Sequence, residues 1–236
     1  MKPFLTANWR YLAMMNFIVD PKILAPFVPE GTELDFYEGE TFLSVVGFLF
    51  LDTRVLGISL PLHRDFEEVN LRFYVKRKAV EGWKRGVVFI RELVPRRAIA
   101  TVARVFYGER YSALSMRHSI ADNADGVSVS YEWRRGKKWE SLSMSATGES
   151  MILPAGSHEE FITEHYWGYT SVRAGCSEFR VQHARWKVWN ADTFEFRASV
   201  ATLYGEQFAE TLSQPPRSAF IAEGSAIEVL LREQLS

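Results

Sequence analysis

In the stretch FEEVNLRFYVK at residues 66–76, apolar and polar side chains alternate from Val69 to Lys76, and this alternation decides the fold. Every second position is apolar, namely Val69, Leu71, Phe73 and Val75. The positions between them are mostly polar: Glu68, Asn70, Arg72, Tyr74 and Lys76. Successive side chains of a β-strand point to opposite faces, so a period of two predicts a strand with one apolar and one polar face.

Further strands are predicted on both sides of this stretch, at residues 41–51, 86–93, 111–120, 127–134, 142–148, 178–188, 194–202 and 219–230. The last of these leaves a helix from Ala226 open. Three short helices are predicted from capping signals: after Asp20-Pro21, at residues 95–107, and at residues 157–166 behind a capping box of Ser157 and Glu160. No linker or repeat divides residues 1–236. We therefore expect one β-rich α+β domain, an antiparallel β-barrel or cone with a few short helices.

Composition excludes several classes of protein. A formal net charge of −1 gives no basic surface for nucleic acid. The longest apolar run, at residues 42–51, is about half of what a membrane helix needs, so no membrane partner is expected. The single Cys176 excludes an internal disulfide, and no signal-like segment opens the chain. We therefore expect a cytoplasmic protein.

Sequence motifs for common cofactors are absent. There is no glycine-rich phosphate loop, no dinucleotide fingerprint and no Gly-x-Ser-x-Gly motif. The five histidines never take a paired metal-ligand spacing. Cys176 stands in a turn-like setting with no helix N-terminus to lower the pKa of its thiol, which indicates an inert side chain. We expect neither a cofactor nor a metal.

The polar face of the 66–76 stretch has two interpretations. A solvent-exposed strand face is the simpler one, and the sequence slightly favours it. The alternative is a row inside a barrel, where Glu68, Asn70 and Arg72 would bind a polar ligand. His183 falls on the apolar face of its strand, which is more typical of a hydrogen-bonded core histidine than of a site residue.

Several segments, taken in chain order, carry a family resemblance: Trp9-Arg10-Tyr11-Leu12, Val28-Pro29-Glu30-Gly31, Glu68-Val69-Asn70-Leu71-Arg72, Glu164-His165-Tyr166 and Val181-Gln182-His183-Ala184-Arg185-Trp186. Together they resemble the YqjF-like family of bacterial proteins, a domain of unknown function. That family is similar in fold to acetoacetate decarboxylase. The resemblance implies a cone-like β-barrel around a mostly apolar cavity.

The same resemblance implies a site without the lysine pair that the decarboxylase uses. Arg10 falls on an active-site arginine of the decarboxylase, and Glu68 on one of its two active-site glutamates, whereas Val46 takes the place of the other. Tyr111 and Ser112 stand where the decarboxylase has its lysine pair. Neither side chain can form the imine on which the reaction depends, so decarboxylase activity is not expected. The nearest lysines in sequence are expected to be solvent-exposed: Lys76, Lys78 and Lys84.

Two hypotheses about function follow. In the first, the cavity binds a small anionic organic molecule, such as a keto acid or an acyl-like anion. Its ligand-binding residues would be Arg10, Asn70, Arg72, Arg104 and His183. Glu68 would act as acid or base and Tyr111 as hydrogen-bond donor. The structural alternative for Glu68 is a buried ion pair with an arginine that supports the barrel.

The second hypothesis is a non-enzymatic oligomeric scaffold or regulatory module. Aromatic residues are enriched at interface cores, and four of them would lie at a subunit interface: Trp167, Tyr169, Trp186 and Trp189. The decarboxylase relatives assemble into oligomers, so a homo-oligomer is expected by analogy alone.

Overall fold

The structure is a computed structural model that describes residues 3–59, 63–96, 111–172 and 175–235. The predicted helix at residues 95–107 lies almost entirely outside the described residues, and Arg104 lies wholly outside them. The description below concerns the described residues only.

Seventeen strands are described. In chain order they are β1 (Leu5–Val19), β2 (Glu33–Leu34), β3 (Thr41–Val55), β4 (Ile58–Ser59), β5 (Phe66–Ala79), β6 (Gly82–Val94), β7 (Tyr111–Ala113), β8 (Ser115–Asn123), β9 (Gly126–Arg135), β10 (Lys138–Thr147), β11 (Met151–Ile152), β12 (Trp167–Val172), β13 (Gly175–His183), β14 (Lys187–Asn190), β15 (Thr193–Arg197), β16 (Ser218–Val229) and β17 (Glu233–Leu235). The β-rich fold class predicted from the sequence is confirmed. Two predicted strands are divided: residues 111–120 into β7 and β8, and residues 178–188 into β13 and β14.

The larger sheet closes on itself. Its strands follow the order β11-β14-β16-β1-β3-β5-β6-β12-β13-β17, and an additional pairing of β13 with β16 joins the two sides. The strands β16, β1, β3, β5, β6, β12 and β13 therefore form a ring of hydrogen-bonded neighbours. The pairings are antiparallel as predicted, except that β6 pairs in parallel with both β12 and β7.

The short helices begin where the capping signals stand. Helix α1 (Pro21–Leu24) has Asp20 as its N-cap, with the Lys22 amide donating to Asp20 Oδ1 at 2.8 Å, and a 3-10 turn follows it. Helix α2 (His158–Thr163) is capped by Ser157. Both predictions are confirmed. None of the described helices is long and apolar enough to cross a membrane.

Near the C-terminus, one predicted strand was too long, and packing decided one segment for which strand and helix had both been open. The strand predicted at residues 194–202 ends at Arg197, and helices α3 (Val200–Leu203) and α4 (Ala209–Ser213) follow, with Leu203 and Leu212 buried in the core. The helix left open from Ala226 does not form. That segment continues β16 as far as Val229, because β1 and β13 both pair with it.

The ring has an apolar layer on each of its faces. On the outside, a four-stranded sheet in the order β15-β10-β9-β8 packs against it. Tyr131 and Leu142 of that sheet share one core cluster with Val69 and Leu71 of β5. The sheets approach so closely at Gly47 that an added Cβ would meet the Tyr131 ring at 2.7 Å. Because the outer face of β5 is covered in this way, its polar face points into the ring.

Candidate ligand-binding pocket

A pocket of about 90 Å³ lies inside the ring, and all seven ring strands contribute side chains to it. Its wall is largely aromatic and aliphatic, with Trp9, Phe48, Phe50, Phe89 and Phe179 among the lining residues. A buried water needs roughly 10–15 Å³ on this measure, so the pocket has room for a small organic molecule. Small-molecule sites typically combine such an apolar wall with a few polar groups.

The polar row of β5 lines this pocket. Glu68, Asn70 and Arg72 are 3%, 1% and 9% exposed, so the solvent-exposed interpretation is wrong. Asn70 Nδ2 donates to Glu68 Oε1 at 3.0 Å, and the Tyr111 hydroxyl donates to Glu68 Oε2 at 3.4 Å. Tyr111 reaches the site because β7 pairs with β6, where it lies opposite Glu92.

Glu92 is a second pocket carboxylate that the sequence analysis missed. It is 1% exposed and lines the pocket from β6. A register shift between β5 and β6 beside Leu71 and Arg72 precedes it, so simple alternation along the strand would have been an unreliable guide to its direction.

Arg72 is a buried cation that forms no ion pair with a carboxylate of the described residues, although Glu68 and Glu92 line the same pocket. No carboxylate of those residues lies within 4.0 Å of its guanidinium, and its Nε has no hydrogen-bond partner there. Its guanidinium carbon stands 5.7 Å from the centroid of the Tyr74 ring, a weak cation–π contact. The structural alternative of a Glu68 ion pair is therefore not realised with Arg72. A buried charge is costly unless it is paired, so this arrangement requires an explanation.

His165 faces the pocket behind α2 and belongs to a chain of charged groups. Its Nε2 lies 3.2 Å from Asp35 Oδ2, and the same carboxylate oxygen accepts from Arg85 Nε at 2.6 Å. Burial lowers the pKa of His165 to about 4 against the opposing effect of Asp35, so the ring is neutral near pH 7. Burial acts to raise the pKa of Asp35, but the bonds from His165 and Arg85 hold it below its ordinary value.

His183 also lines the pocket. Its ring stacks on Trp186 with centroids 4.1 Å apart, and its Nδ1 lies 2.8 Å from the Ala184 carbonyl oxygen. Burial lowers the pKa of this histidine too. The ring centroids of Trp186 and Trp9 are 6.4 Å apart. Trp9 Nε1 is buried with no hydrogen-bond partner among the described residues. The two tryptophans and His183 thus form one continuous aromatic side of the pocket.

Arg10 is not brought to the pocket. It borders a separate depression with Tyr11, Asp122 and Glu223, and its Nη1 donates to the Gly224 carbonyl at 3.4 Å. Its neighbour Trp9 takes the inward direction on β1. A register shift at this point, with Tyr11 at φ 55°, lets Leu12 also face inward, so the local backbone decides which side chains enter.

No lysine of the described residues lines the pocket. Ser112 accepts a hydrogen bond from Arg91 Nη1 at 3.2 Å. The expectation that Lys84 is solvent-exposed was wrong: its side chain is 14% exposed and pairs with Glu178 at 2.9 Å. Lys78 is exposed as expected, whereas Lys76 is half-buried and pairs with Glu33.

The structure also bears on the predicted interface aromatics, on Cys176 and on metal ligands. Tyr169 and Trp186 are buried within the chain, so they offer no surface to a second subunit. Burial raises the pKa of the Cys176 thiol to about 11, in line with an inert side chain. Within the described residues, no group of three or more His, Cys, Asp or Glu side chains could hold a metal ion.

The fold defines the class of protein first. The acetoacetate decarboxylase of Legionella pneumophila has a similar structure, with a TM-score of 0.67 and 12% identity over 100% of this chain and 88% of that one. The enduracididine biosynthesis enzyme MppR, in its complex with pyruvate, gives a TM-score of 0.65 and 12% identity over 100% of this chain and 92% of that one. The chain therefore has the acetoacetate decarboxylase-like fold.

The family follows from sequence. The chain belongs to the DUF2071 family, described as an uncharacterized conserved protein, whose model matches residues 6–226. The uncharacterized protein YqjF of Bacillus subtilis is 26% identical over 190 residues, which cover 78% of this chain and 75% of that protein. The resemblance seen in the sequence is thus confirmed.

Proposed function

We propose that this protein binds a small organic carboxylate in the pocket, with the Arg72 guanidinium as the anchor of the carboxylate. The observation that carries this proposal is the buried Arg72 side chain, which has no carboxylate of the described residues within 4.0 Å and no hydrogen-bond partner there for its Nε. Burying a cation without a paired anion lowers the stability of the fold. A ligand carboxylate would offset that cost, and a guanidinium matches its two oxygens in a bidentate contact.

The size and wall of the pocket support a small ligand. Its volume of about 90 Å³ suits a molecule of a few non-hydrogen atoms, and Phe48, Phe89 and Phe179 exclude water around it. A low-dielectric wall strengthens an ion pair formed inside it. One solved structure of the same fold, that of MppR, contains pyruvate, a carboxylate of this size.

Glu68 is the acid or base that this proposal assigns, if the bound molecule is also transformed. It is 3% exposed, and Asn70 and Tyr111 both donate to it. These bonds orient the carboxylate beside the ligand position. Because Tyr111 and Ser112 cannot form an imine, the chemistry would proceed without a Schiff base. A cytoplasmic location and a homo-oligomer stay predictions from the sequence.

Isothermal titration calorimetry with the parent protein tests the proposal. Pyruvate, acetoacetate, lactate, 3-hydroxybutyrate and acetate would each be titrated beside the corresponding amide, which keeps the shape but lacks the charge. We expect at least one acid to bind and its amide to bind at least tenfold more weakly, since a hydrogen bond to a charged group contributes about 1.5–3 kcal/mol.

The variant Arg72→Gln should lose at least tenfold in affinity for the bound acid. Arg134→Gln is the matched control, because Arg134 is an exposed arginine on β9, away from the pocket. The proposal fails if no acid of the set binds, or if Arg72→Gln binds as tightly as the parent.

A trapping experiment tests the claim that no imine forms. Borohydride added in the presence of acetoacetate should leave the mass of the intact protein unchanged. A stable adduct on any lysine would contradict our assignment of Tyr111 and Ser112.

A further inference from the structure

Four buried polar atoms of the pocket that lack a hydrogen-bond partner among the described residues bear on the choice of ligand. Two are donors, Arg72 Nε and Trp9 Nε1, and two are acceptors, Asn70 Oδ1 and His165 Nδ1. An ionised carboxylate can only accept hydrogen bonds. It would satisfy the donors and leave the acceptors as they are, although a buried acceptor without a partner costs about 1–3 kcal/mol.

The partners of His165 establish that its Nδ1 is an acceptor. Asp35 is ionised, because Arg85 donates to the oxygen that also faces His165 Nε2. An ionised carboxylate cannot donate, so Nε2 must carry the proton. A neutral imidazole has one N–H, and Nδ1 is therefore the bare nitrogen with a lone pair. The ring also contacts Tyr74 and Phe161, which hold it in this orientation.

Asn70 has a similarly defined orientation. Its Nδ2 donates to Glu68 Oε1 at 3.0 Å. The amide oxygen of Asn70 is therefore the atom left over, and it is an acceptor. His183 agrees with this pattern, because its Nδ1 donates to the Ala184 carbonyl and Nε2 is then its bare nitrogen.

We propose that the pocket selects a carboxylate that also carries a hydroxyl group, a hydroxy acid, and discriminates against the corresponding keto acid. The inference rests on the proposed function, since it takes Arg72 to hold the carboxylate. The hydroxyl would donate to His165 Nδ1 or to Asn70 Oδ1. A keto oxygen has no hydrogen to donate and would face the lone pairs of these acceptors. The sequence analysis expected a small anionic molecule such as a keto acid or an acyl-like anion, and this proposal narrows the ligand class to hydroxy acids.

His165 is the residue on which the discrimination depends. Asp35 and Arg85 act through it as positioning residues, because they fix its tautomer rather than touch the ligand. The discrimination can be large: a site built to bond a hydroxyl rejects analogues without one strongly, because its own polar groups are then left unpaired.

Two matched pairs of ligands test the selectivity by calorimetry on the parent protein: lactate against pyruvate, and 3-hydroxybutyrate against acetoacetate. The pairs place the hydroxyl at two distances from the carboxylate. We expect the hydroxy acid to bind at least tenfold more tightly in one pair or both. A smaller preference in both pairs, or tighter binding of the keto acids, would overturn the inference while leaving the carboxylate proposal intact. No binding of any acid would overturn both.

The variant His165→Asn tests the residue. The asparagine amide can turn to present either its oxygen or its NH₂ group, so the hydroxy-acid preference should fall below threefold. His118→Asn is the matched control, because His118 also pairs with a carboxylate, Glu67, but does not line the pocket. A folded His165→Asn protein that keeps the full preference would contradict the assignment. The measurements on the parent protein need no variant, so they decide the selectivity even if His165→Asn does not fold.

Discussion

Strands β5 and β6 carry buried cations at two sites. At one site the cations pair with a carboxylate of the chain, and at the other the cation has no such pair among the described residues. Five positions beyond Arg72, Arg77 lies beside Lys84, and both donate to Glu178 on β13 at 2.9 Å. The Glu178 side chain is 4% exposed, and the Lys84 ammonium also stands 4.0 Å from the centroid of the Trp167 ring. This cluster is paired within the chain. Arg72 is buried to a similar degree, yet no carboxylate of the described residues lies within 4.0 Å of its guanidinium.

The difference separates a structural role from a binding role. A paired cluster fixes the position of β13 against β5 and β6 and needs nothing from outside. A buried cation without a pair lowers stability, and it is accounted for if a ligand provides the opposite charge. Natural sites commonly give up stability for function in this way.

The largest effect is expected from breaking the paired site. Glu178→Gln would remove the carboxylate of Arg77 in a mostly buried position and leave Lys84 with only the exposed Glu81, at 3.2 Å. Removing one partner of a buried ion pair typically costs about 3–5 kcal/mol, so we expect a loss of about 3 kcal/mol in the free energy of unfolding. Urea denaturation followed by fluorescence would measure it. Glu195→Gln is the control, since Glu195 pairs with Arg197 at the surface and should change stability by less than about 1 kcal/mol.

The second-largest effect on the free energy of unfolding is expected from lowering the pH. His165 has a pKa of about 4 in the fold and an ordinary value of 6.5 when unfolded. Between these values the unfolded chain binds more protons, so stability is full above pH 6.5 and falls as pH decreases toward 4. At 1.36 kcal/mol per pKa unit, the loss is up to about 3 kcal/mol.

Denaturation at pH 7 and at pH 4.5 would measure this loss in the parent protein and in His165→Asn. The variant should show a shallower dependence; His158 and His183 retain part of it, because their pKa values are also lowered by burial. Equal slopes in both proteins would show that His165 is not the titrating group.

The smallest effect on stability is expected at Arg72. Arg72→Met removes a buried cation and keeps an unbranched apolar side chain, so the unliganded protein should be as stable as the parent or about 1 kcal/mol more stable. The stabilisation by a bound acid should disappear in the same variant. Thermal unfolding with and without the acid gives both quantities. If Arg72→Met without ligand lost several kcal/mol in the free energy of unfolding, Arg72 would have a structural role like that of Arg77 and Lys84, and the two sites would not differ.

Much of the scaffold could be predicted from local signals. Alternation over residues 69–76 predicted β5, and caps at Asp20 and Ser157 predicted α1 and α2. Alternation distinguishes two faces but does not say which one meets water, so the solvent-exposed interpretation of Glu68 and Arg72 was wrong. Both faces of β5 are covered, one by the outer sheet and the other by the ring itself.

Other parts of the site left no local signal. Strand β1 was not predicted, because its central residues are buried on both sides and a register shift interrupts its period. The same shift separates Trp9, which enters the pocket, from Arg10, which does not. His165 was part of the family resemblance, but its partner Asp35 lies 130 positions away in sequence. Arg85, which donates to Asp35, lies 80 positions from His165, so no pattern of spacing links the three.

The sequence by itself determined the strand-rich fold class, the two-faced β5 and the absence of lysine at positions 111 and 112, because these depend on residue type and local period. Only the tertiary structure decided that the polar row faces a pocket, that Arg72 forms no ion pair with a carboxylate of the described residues, and that Asp35 fixes the tautomer of His165. The physical reason is ring closure. Hydrogen bonds between β13 and β16 join strands far apart in the chain, and that closure places distant side chains around one small volume.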